Sequence, residues 1–252
     1  MMRSIEEIRG YHIEANDGEV GRVADFLFED EHWTVLYLVV DTGNWLPGKK
    51  VLVSPAAFRG RPDWKSRRFP VSLTREEVEN SPDISTDEPV SMERAREGAE
   101  YYRWSSSLYA HPLIPASVVE EEARSFQVPG GESERPGEEG RRDLRSAAEV
   151  SGYAVRARDG DIGEVEDFIV DDDTWRIMYL VVDTRKLLPG KQVLVSRLWI
   201  NRVDWLKSLV HVDLDRDAVR NGPEYDPSAP VNREYEHVLY DYYGRPKYWE
   251  NG

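Results

Sequence analysis

The chain has 252 residues, 40% of them hydrophobic and 11% aromatic, which is enough to build packed cores in two domains of about 100–150 residues. Its formal net charge of -15 repels phosphate backbones and anionic lipid surfaces, and no run of Lys or Arg offsets it locally. We therefore expect no direct binding to nucleic acid. The absence of cysteine excludes disulfides, thiolate metal sites and Cys nucleophiles together.

Membrane insertion and secretion are not expected from the sequence. The longest uninterrupted apolar stretch, from Val35 to Val40, is far shorter than the ~20 residues that a spanning helix needs. The N-terminal sequence MMRSIEEIRG is acidic and amphipathic, without the apolar core of a secretory signal. These features predict a soluble, cytoplasmic protein with no membrane span.

An internal repeat is the strongest feature of the sequence. The stretch that begins at Arg3 matches the stretch that begins at Arg145 without a gap, and roughly 28 of the 52 aligned positions are identical. Chance does not produce this identity at a fixed offset. The sequence therefore predicts a tandem duplication of one small module.

Each half carries the signals of a short helical opening, five or six short strands and a final helical turn. In the first half the elements are a capping pattern at Ser4 and Glu7, a strand over 11–15, a hairpin at Asp17-Gly18, strands over 20–28 and 35–40, a turn at Pro47-Gly48, strands over 51–53, 58–64 and 69–73, and a helical turn after Thr74. The second half repeats this series, with Asp215 in the place of Thr74. Short strands joined by Gly and Pro turns favour a small closed barrel, because closure removes aggregation-prone edges.

Domain boundaries follow from changes in composition. We predict a first domain with its extension at residues 1–104, an acidic flexible linker at 105–143 and a second domain with an aromatic tail at 144–252. Within the linker, residues 117–126 could form a short acidic helix, whereas the Pro-, Gly- and Glu-rich run over 129–142 cannot bury enough surface to fold. Two copies of one module in a chain favour a pseudo-two-fold arrangement, so we expect the two domains to touch.

The motif series in both halves resembles the PRC-barrel family. Its residues in the first half are Gly10-Tyr11, Asp17-Gly18, Gly21, Val23, Asp25-Phe26 and Tyr37 to Val40, and equivalent residues recur in the second half. The resemblance implies an all-β (mainly β) fold of two tandem six-stranded PRC-type β-barrels, with short helical turns and irregular aromatic C-terminal extensions. In that family the barrel forms the cytoplasmic part of the photosynthetic reaction centre H subunit and the C-terminal half of the ribosome maturation factor RimM. The resemblance brings no catalytic residues, and its shared theme is a barrel that docks on other proteins.

Candidate catalytic and metal-binding groups favour structural roles, so we predict no enzyme, no cofactor and no metal. None of the five histidines recurs between the halves: they are His12, His32, His111, His211 and His237. The acidic runs Glu29–Glu31 and Asp171–Asp173 invite a calcium site, but adjacent carboxylates rarely converge on one ion, and a solvated turn is favoured. The lysine of each Pro-Gly-Lys turn, at 47–49 and 189–191, is expected to be solvated.

Recurring strand-end acids are expected to serve the fold. Asp25, Asp41, Asp167 and Asp183 could pair with nearby Arg22, Lys49 and Lys191 or accept hydrogen bonds from turn amides.

The aromatic tail of the second half is the candidate partner-binding region. Tyr and Trp combine a large apolar area with a polar tip, which suits them to interfaces, although such a tail can instead pack over a barrel. The candidate residues are Tyr240, Tyr242, Tyr243, Tyr248 and Trp249. The first half has its own aromatic group at Tyr101, Tyr102, Trp104 and Tyr109.

The sequence thus favours a non-enzymatic protein-protein interaction or scaffold protein with a protein partner, and allows a homodimer. Two alternatives stay open at this point. One is a small-molecule or ion binder, possibly an enzyme, that uses a cleft between the barrels. The other is a ribosome-associated factor, by analogy with RimM.

Overall fold

The computed structural model describes residues 1–84, 144–185 and 190–250. Strands dominate these residues and form two sheets, one centred on each half, in agreement with the predicted mainly β class. The predicted linker at 105–143, its acidic helix and the aromatic group of the first half lie outside the described residues. The domain boundaries therefore stay predictions.

The two halves contain the same elements in the same order over most of their length. The N-terminal half contains β1 (Met2–Ser4), α1 (Ile5–Ile8), β2 (His12–Ala15), β3 (Gly18–Glu29), β4 (Thr34–Asp41), β5 (Lys50–Val53), a 3-10 turn (Pro55–Ala57), β6 (Arg68–Pro70) and α2 (Arg75–Glu79). The C-terminal half contains β7 (Leu144–Ser146), α3 (Ala147–Val150), β8 (Ala154–Ala157), β9 (Gly160–Asp171), β10 (Ile177–Asp183), β11 (Gln192–Ser196), a 3-10 turn (Arg197–Trp199), β12 (Ile200–Asp204), a second 3-10 turn (Trp205–Lys207), β13 (Leu209–Val212), α4 (Arg216–Asn221) and α5 (Arg233–Tyr243).

Neither sheet closes into the predicted six-stranded barrel. The hydrogen-bonded order is β5-β4-β3-β2-β6 in the N-terminal half and β11-β10-β9-β8-β13-β12 in the C-terminal half, and the outermost strands of each sheet do not pair with one another. In each half the segment after the helix, α2 or α4, covers the outer edge of β5 or β11. Ile84 N donates to Lys50 O at 3.1 Å, and Tyr225 N donates to Gln192 O at 2.8 Å. The chain that follows α2 or α4 therefore occupies the edge that a closing strand would need.

The opening strand of each half belongs to the sheet of the other half. β1 pairs antiparallel with the end of β9, with Ser4 opposite Ile169, and β7 pairs with the end of β3, with Ser146 opposite Leu27. The short helices follow their strands, so α1 packs on β9 and α3 packs on β3. The predicted contact between the halves is confirmed, and it takes the form of a reciprocal strand exchange.

Two tryptophan turns meet where the halves join. Trp33 and Trp175 have left-handed backbones, with φ of 59° and 57°, which costs a non-glycine residue about 1–2 kcal/mol. Each turn is held by the other, because Val35 N donates to Trp175 O and Ile177 N donates to Trp33 O, both at 2.8 Å. Both indoles are buried in a core that runs through the two halves without a break. This mutual pairing offsets the backbone strain and fills the junction.

Several local predictions need correction. The strand over 58–64 is absent, since Phe58 and Asp63 form only isolated bridges, whereas the equivalent segment of the other half is β12. Gly60, with a φ of 89°, and Pro62, which lacks an N–H, explain the difference. The hairpin at Asp17-Gly18 is confirmed, with Gly18 as the first residue of β3.

Helix capping follows the sequence in most places. Ser4 and Ser146 cap α1 and α3, and Thr74 forms a full capping box with Glu77 in α2. Asp215 makes no side-chain cap on α4, because its carboxylate pairs with the guanidinium of Arg158 instead.

The predicted irregular C-terminal extension of the second half is wrong, because this extension contains the helix α5. Asn232 caps its start by accepting a hydrogen bond from Tyr235 N, and Gly244, with a φ of 61°, ends it. Among the residues described, no helix is both long and apolar enough to cross a membrane.

Candidate functional site

The recurring strand-end acids Asp25 and Asp167 join the halves to each other. Asp167 accepts a hydrogen bond from Ser4 Oγ and another from Glu6 N at 3.1 Å, so it holds the first turn of α1. Asp25 holds α3 in the same way, with Ser146 Oγ at 2.5 Å. Burial raises the pKa of Asp167, while these hydrogen bonds oppose the increase. The predicted structural role is confirmed for these two acids, although their hydrogen-bond donors include groups of the opposite half. Asp25 also has a basic neighbour in its own half, since Arg9 Nη2 lies 3.6 Å from Asp25 Oδ1.

The lysine of each Pro-Gly-Lys turn is bound and not freely solvated, which corrects the prediction. Lys49 Nζ donates to the backbone oxygens of Glu79 and Ser81, at 2.5 and 2.7 Å, at the end of α2. Lys191 Nζ donates to Gly222 O, at the end of α4. A cation near a helix C-terminus satisfies carbonyl groups that have no partner within the helix. Each lysine therefore ties its turn to the helix that follows.

Glu29 organises the first acidic loop from within, because it is only 3% exposed. Its carboxylate accepts hydrogen bonds from the backbone N–H groups of Glu31 and His32, each at 2.9 Å, and from Thr34 at 3.3 Å. Burial alone would raise the pKa of Glu29, but the hydrogen bonds and the charge of His32 hold it below its ordinary value. The predicted solvated turn is therefore wrong for Glu29, which stabilises a turn as a buried acceptor.

The second acidic loop is held by protein donors. Asp171 accepts hydrogen bonds from Asp173 N and Thr174 N, at 3.2 and 2.9 Å. Asp172 binds the N-terminal amine of Met1, which β1 brings from the other half. These contacts support a structural role for the loop, as the sequence indicates.

The described histidines have structural neighbours. His12 Nδ1 lies 2.8 Å from Glu19 Oε1, and the His237 ring meets the edge of Trp249 with centroids 5.1 Å apart. Burial lowers the pKa of His211. His111 lies outside the described residues. None of these contacts joins an imidazole to a nucleophile.

A buried carboxylate anchors α5 to the C-terminal sheet. Glu236 is 2% exposed, and its Oε1 accepts hydrogen bonds from Tyr179 Oη at 2.7 Å and Tyr248 Oη at 2.8 Å. Arg233 completes the cluster, with its guanidinium Nη1 3.0 Å from the other carboxylate oxygen. Burial raises the pKa of both phenols, so they stay protonated and donate.

The five candidate partner-binding residues divide between the interior and the surface. Tyr240 is 1% exposed and packs against Trp199, and Tyr243, Tyr248 and Trp249 are half-buried around it. Tyr242 alone of the five is exposed, at 43%. The tail thus mostly packs over its own half, which is the alternative that the sequence left open.

The structure also contains an open groove of about 520 Å³ at one end of the central strands β3 and β4 of the N-terminal sheet. It lies between the start of β3 and the loop after β4. Its lining includes the charged side chains of Glu19, Arg22 and Asp41, the amide of Asn44 and the indole of Trp45.

Sequence reasoning missed the Glu236 cluster and the groove. Tyr179 stands in an otherwise aliphatic strand, and a buried phenol usually needs a hydrogen-bond partner, so its position signals a polar group beneath the tail. The groove has a signal in the repeat itself, because Gly43 of the first half aligns with Arg185 of the second.

Comparison with known proteins gives one family match, in the C-terminal half, and one weakly similar relative. An uncharacterised protein of Deinococcus radiodurans is 36% identical over 78 residues, a stretch that is 31% of this chain and 27% of that protein. The chain therefore matches only about a quarter of the length of that relative. Residues 142–219 match the sequence pattern of the PRC-barrel domain family. A PRC-barrel domain is thus found in the C-terminal half of the chain, at residues 142–219.

Proposed function

We propose that the protein is a non-enzymatic interaction protein, built from two tandem copies of the PRC-type module. The recurrence of the elements in both halves supports the duplication. The groups that the sequence marks for chemistry support the absence of catalysis, because the fold itself uses them. Asp25 and Asp167 hold the exchanged helices, Lys49 and Lys191 hold α2 and α4, and Glu29 holds a turn.

The observation that carries the proposal is the outer face of α5. Val238 and Tyr242 lie one helical turn apart on this face and are 58% and 43% exposed, and the Tyr242 hydroxyl donates to Ala218 O at 3.0 Å. The opposite face of the same helix is fully packed, with Glu236, Leu239 and Tyr240 buried. Exposed apolar side chains on a rigid, well-anchored helix suit a docking surface, and we call Val238 and Tyr242 the α5 face.

The charge around the α5 face defines the partner. Glu234 and Asp241 are exposed beside it, and the last turn of α5 contains no basic residue, although Lys247 from the segment after α5 pairs with Asp241 at 2.8 Å. A second copy of this chain would bring these carboxylates against each other. We therefore commit to a protein partner whose surface has an apolar centre ringed by Lys and Arg. The docking role of the barrel in the family that the sequence resembles supports this choice.

The remaining candidate residues serve the α5 face from beneath. Tyr240 packs on Trp199, and Tyr248 binds Glu236, so both position the helix and do not meet a partner directly. We do not retain a cleft between the halves as a ligand site, because the tryptophan turns and the exchanged strands fill that junction in the described part of the chain. The cytoplasmic location stays a prediction, which cell fractionation tests.

Affinity capture from native lysate tests the proposal when it is made with matched variants. The wild type is compared with Val238→Glu and Tyr242→Ala, and with Leu206→Glu, which alters a fully exposed side chain elsewhere. We expect one basic protein to be retained by the wild type and by Leu206→Glu, and to be lost with either α5 variant. Capture should weaken between about 50 and 300 mM salt, because screening reduces exposed charge contacts.

The purified partner must then bind the purified chain directly, and the variants must rank in affinity as they do in the capture experiment. A partner set that is identical for Val238→Glu and the wild type would contradict the docking role of the α5 face. A concentration-dependent dimer that Val238→Glu abolishes would replace the partner by a second copy. Co-sedimentation with ribosomal particles that depends on the α5 face would identify a ribosomal protein as the partner.

A further inference from the structure

The same aspartate turn stands at the end of β4 and of β10. Gly43 N donates to Asp41 Oδ1 at 2.8 Å, and Arg185 N donates to Asp183 Oδ1 at 2.8 Å. The two carboxylates are therefore oriented alike by the backbone. The two halves differ at the position two residues after the aspartate. The N-terminal half has Gly43 there, without a side chain, and the C-terminal half has Arg185, with a guanidinium.

In the C-terminal half the guanidinium of Arg185 covers the aspartate. Its Nε and Nη2 donate to Asp183 Oδ1 and Oδ2, both at 2.9 Å, and Nη2 also reaches Glu166 Oε1 at 3.3 Å. The side chain passes over Gly190, since a Cβ built there would lie 2.1 Å from Arg185 Cγ. This is the two-pronged geometry in which arginine recognises a carboxylate.

In the N-terminal half the equivalent space is open. A Cβ built on Gly43 or on Gly48, the counterpart of Gly190, would meet nothing within 4 Å. In the part of the chain that the structure describes, the Asp41 carboxylate pairs with no side chain, and the groove of about 520 Å³ opens beside it. The N-terminal half thus presents the acceptor of the C-terminal pair without its donor.

The groove also provides a surface on which a guanidinium can stack. The indole of Trp45 lines it, and the guanidinium of Arg75 already stacks on one face of that indole, 4.4 Å from its centroid. A ligand guanidinium would take the opposite face. Planar guanidinium groups stack favourably on indole rings. Glu19 and Asp41 line the groove together with Arg22, but Glu19 already contacts His12 at 2.8 Å. Asp41 is therefore the lining carboxylate to which a cationic ligand can bind.

We propose that this groove binds an alkylguanidinium, the side-chain group of arginine, with Asp41 as its two-oxygen acceptor and Trp45 as its stacking surface. The ligand is free arginine or an arginine of a peptide, because both present the same group. The site lies on the N-terminal half and does not depend on the α5 face.

Nuclear magnetic resonance of the full chain tests the site. The probes are N-acetyl-arginine amide, N-acetyl-lysine amide and free L-arginine, and the readouts are the backbone amides of Gly43 and Asn44 and the indole N–H of Trp45. We expect arginine amide to shift these three signals with a millimolar dissociation constant, as befits one exposed group. Lysine amide should bind about fivefold more weakly, since an ammonium is a point charge without the planar fork.

Matched variants separate the site from general charge attraction. Asp41→Asn keeps the shape and the bond to Gly43 N, and should weaken arginine binding about tenfold. Asp183→Asn removes the equivalent charge from a site that Arg185 already fills, and should leave arginine binding unchanged. Gly43→Arg supplies the missing donor within the chain and should abolish binding of the added ligand.

The proposal is overturned if the three signals do not shift at about 20 mM arginine amide, well above a millimolar dissociation constant. It is also overturned if lysine amide binds as tightly as arginine amide, or if Asp41→Asn binds like the wild type. Tighter binding of the capped amide than of free arginine supports a peptide ligand, and the reverse supports the free amino acid.

Discussion

Removal of the Glu236 carboxylate tests whether the aromatic tail is an integral part of the fold. In Glu236→Ala the phenols of Tyr179 and Tyr248 lose the acceptor that they share at 2.7 and 2.8 Å. Hydrogen bonds to a charged group contribute about 1.5–3 kcal/mol each, so the two together contribute roughly 3–6 kcal/mol. Release of the buried charge offsets part of this loss. We expect a net loss of about 3 kcal/mol, close to the lower figure.

Urea denaturation and thermal melting measure this loss directly. A loss of about 3 kcal/mol lowers the melting temperature by roughly 6–12 °C in a protein of this size. Glu236→Gln keeps one oxygen for a phenol and should lose less. Glu234→Ala is the matched control, because Glu234 is an exposed carboxylate on the same helix and should change stability by less than about 0.5 kcal/mol. If Glu236→Ala is as stable as Glu234→Ala, the reasoning about the buried cluster is refuted.

Four further substitutions test the N-terminal half by urea denaturation. Gly21→Ala should lower the free energy of unfolding by more than about 2 kcal/mol, because its Cβ would lie 2.2 Å from Asp41 O. Gly43→Ala has open space around its Cβ and should lose only about 1–2 kcal/mol through left-handed backbone strain. Equal losses would contradict the close approach of β3 and β4. The folded pKa of Glu29 is below its ordinary value of 4.5, so its contribution is present above that pH and is lost as the pH falls through the folded value. Glu29→Gln should therefore flatten the fall in stability between about pH 5 and 3, and an unchanged slope would contradict this origin. Lys49→Met should lower the free energy of unfolding by about 1–2 kcal/mol through the loss of its two carbonyl contacts. An unchanged stability would support the solvated lysine that the sequence predicts.

The positions of most strands could be predicted because their signals are local. Apolar strands such as β4 and the hairpin before Gly18 follow from residues that are neighbours in the chain. The destination of β1 could not be predicted, since the Arg-Ser pair at its end recurs at the end of β7 and the ends of β3 and β9 are alike. A three-residue strand matches both sheets equally well by sequence. The choice between them depends on the path of the chain and on the packing of α1, which are properties of the whole fold.

The aromatic tail shows a similar limit. Its residue types indicate an interface, but Tyr and Trp also pack well inside a protein, so composition did not separate the two uses. The helical spacing separates them: Glu236, Leu239 and Tyr240 are buried, whereas Val238 and Tyr242 are exposed. The sequence gives no sign that Glu236 is the buried acceptor that holds the helix, since glutamate is most often exposed.

The reciprocal exchange of opening strands is the central structural claim, and an engineered disulfide tests it most directly. The chain has no cysteine, so a pair introduced as Ser4→Cys and Ile169→Cys can form only the bond that the structure predicts. Directly opposed antiparallel residues lie about 4.5–5.5 Å apart at Cα. Cysteines joined by a disulfide have Cα atoms about 4.4–6.8 Å apart, so the pair can form the bond. The matched control is Ser4→Cys with Leu27→Cys, because Leu27 is the equivalent of Ile169 in the first half. We predict that the monomer of the first pair oxidises within one chain, and that its halves stay linked after proteolytic cleavage between them until a reductant is added. Oxidation of the control pair instead would place β1 on its own sheet and contradict the exchange.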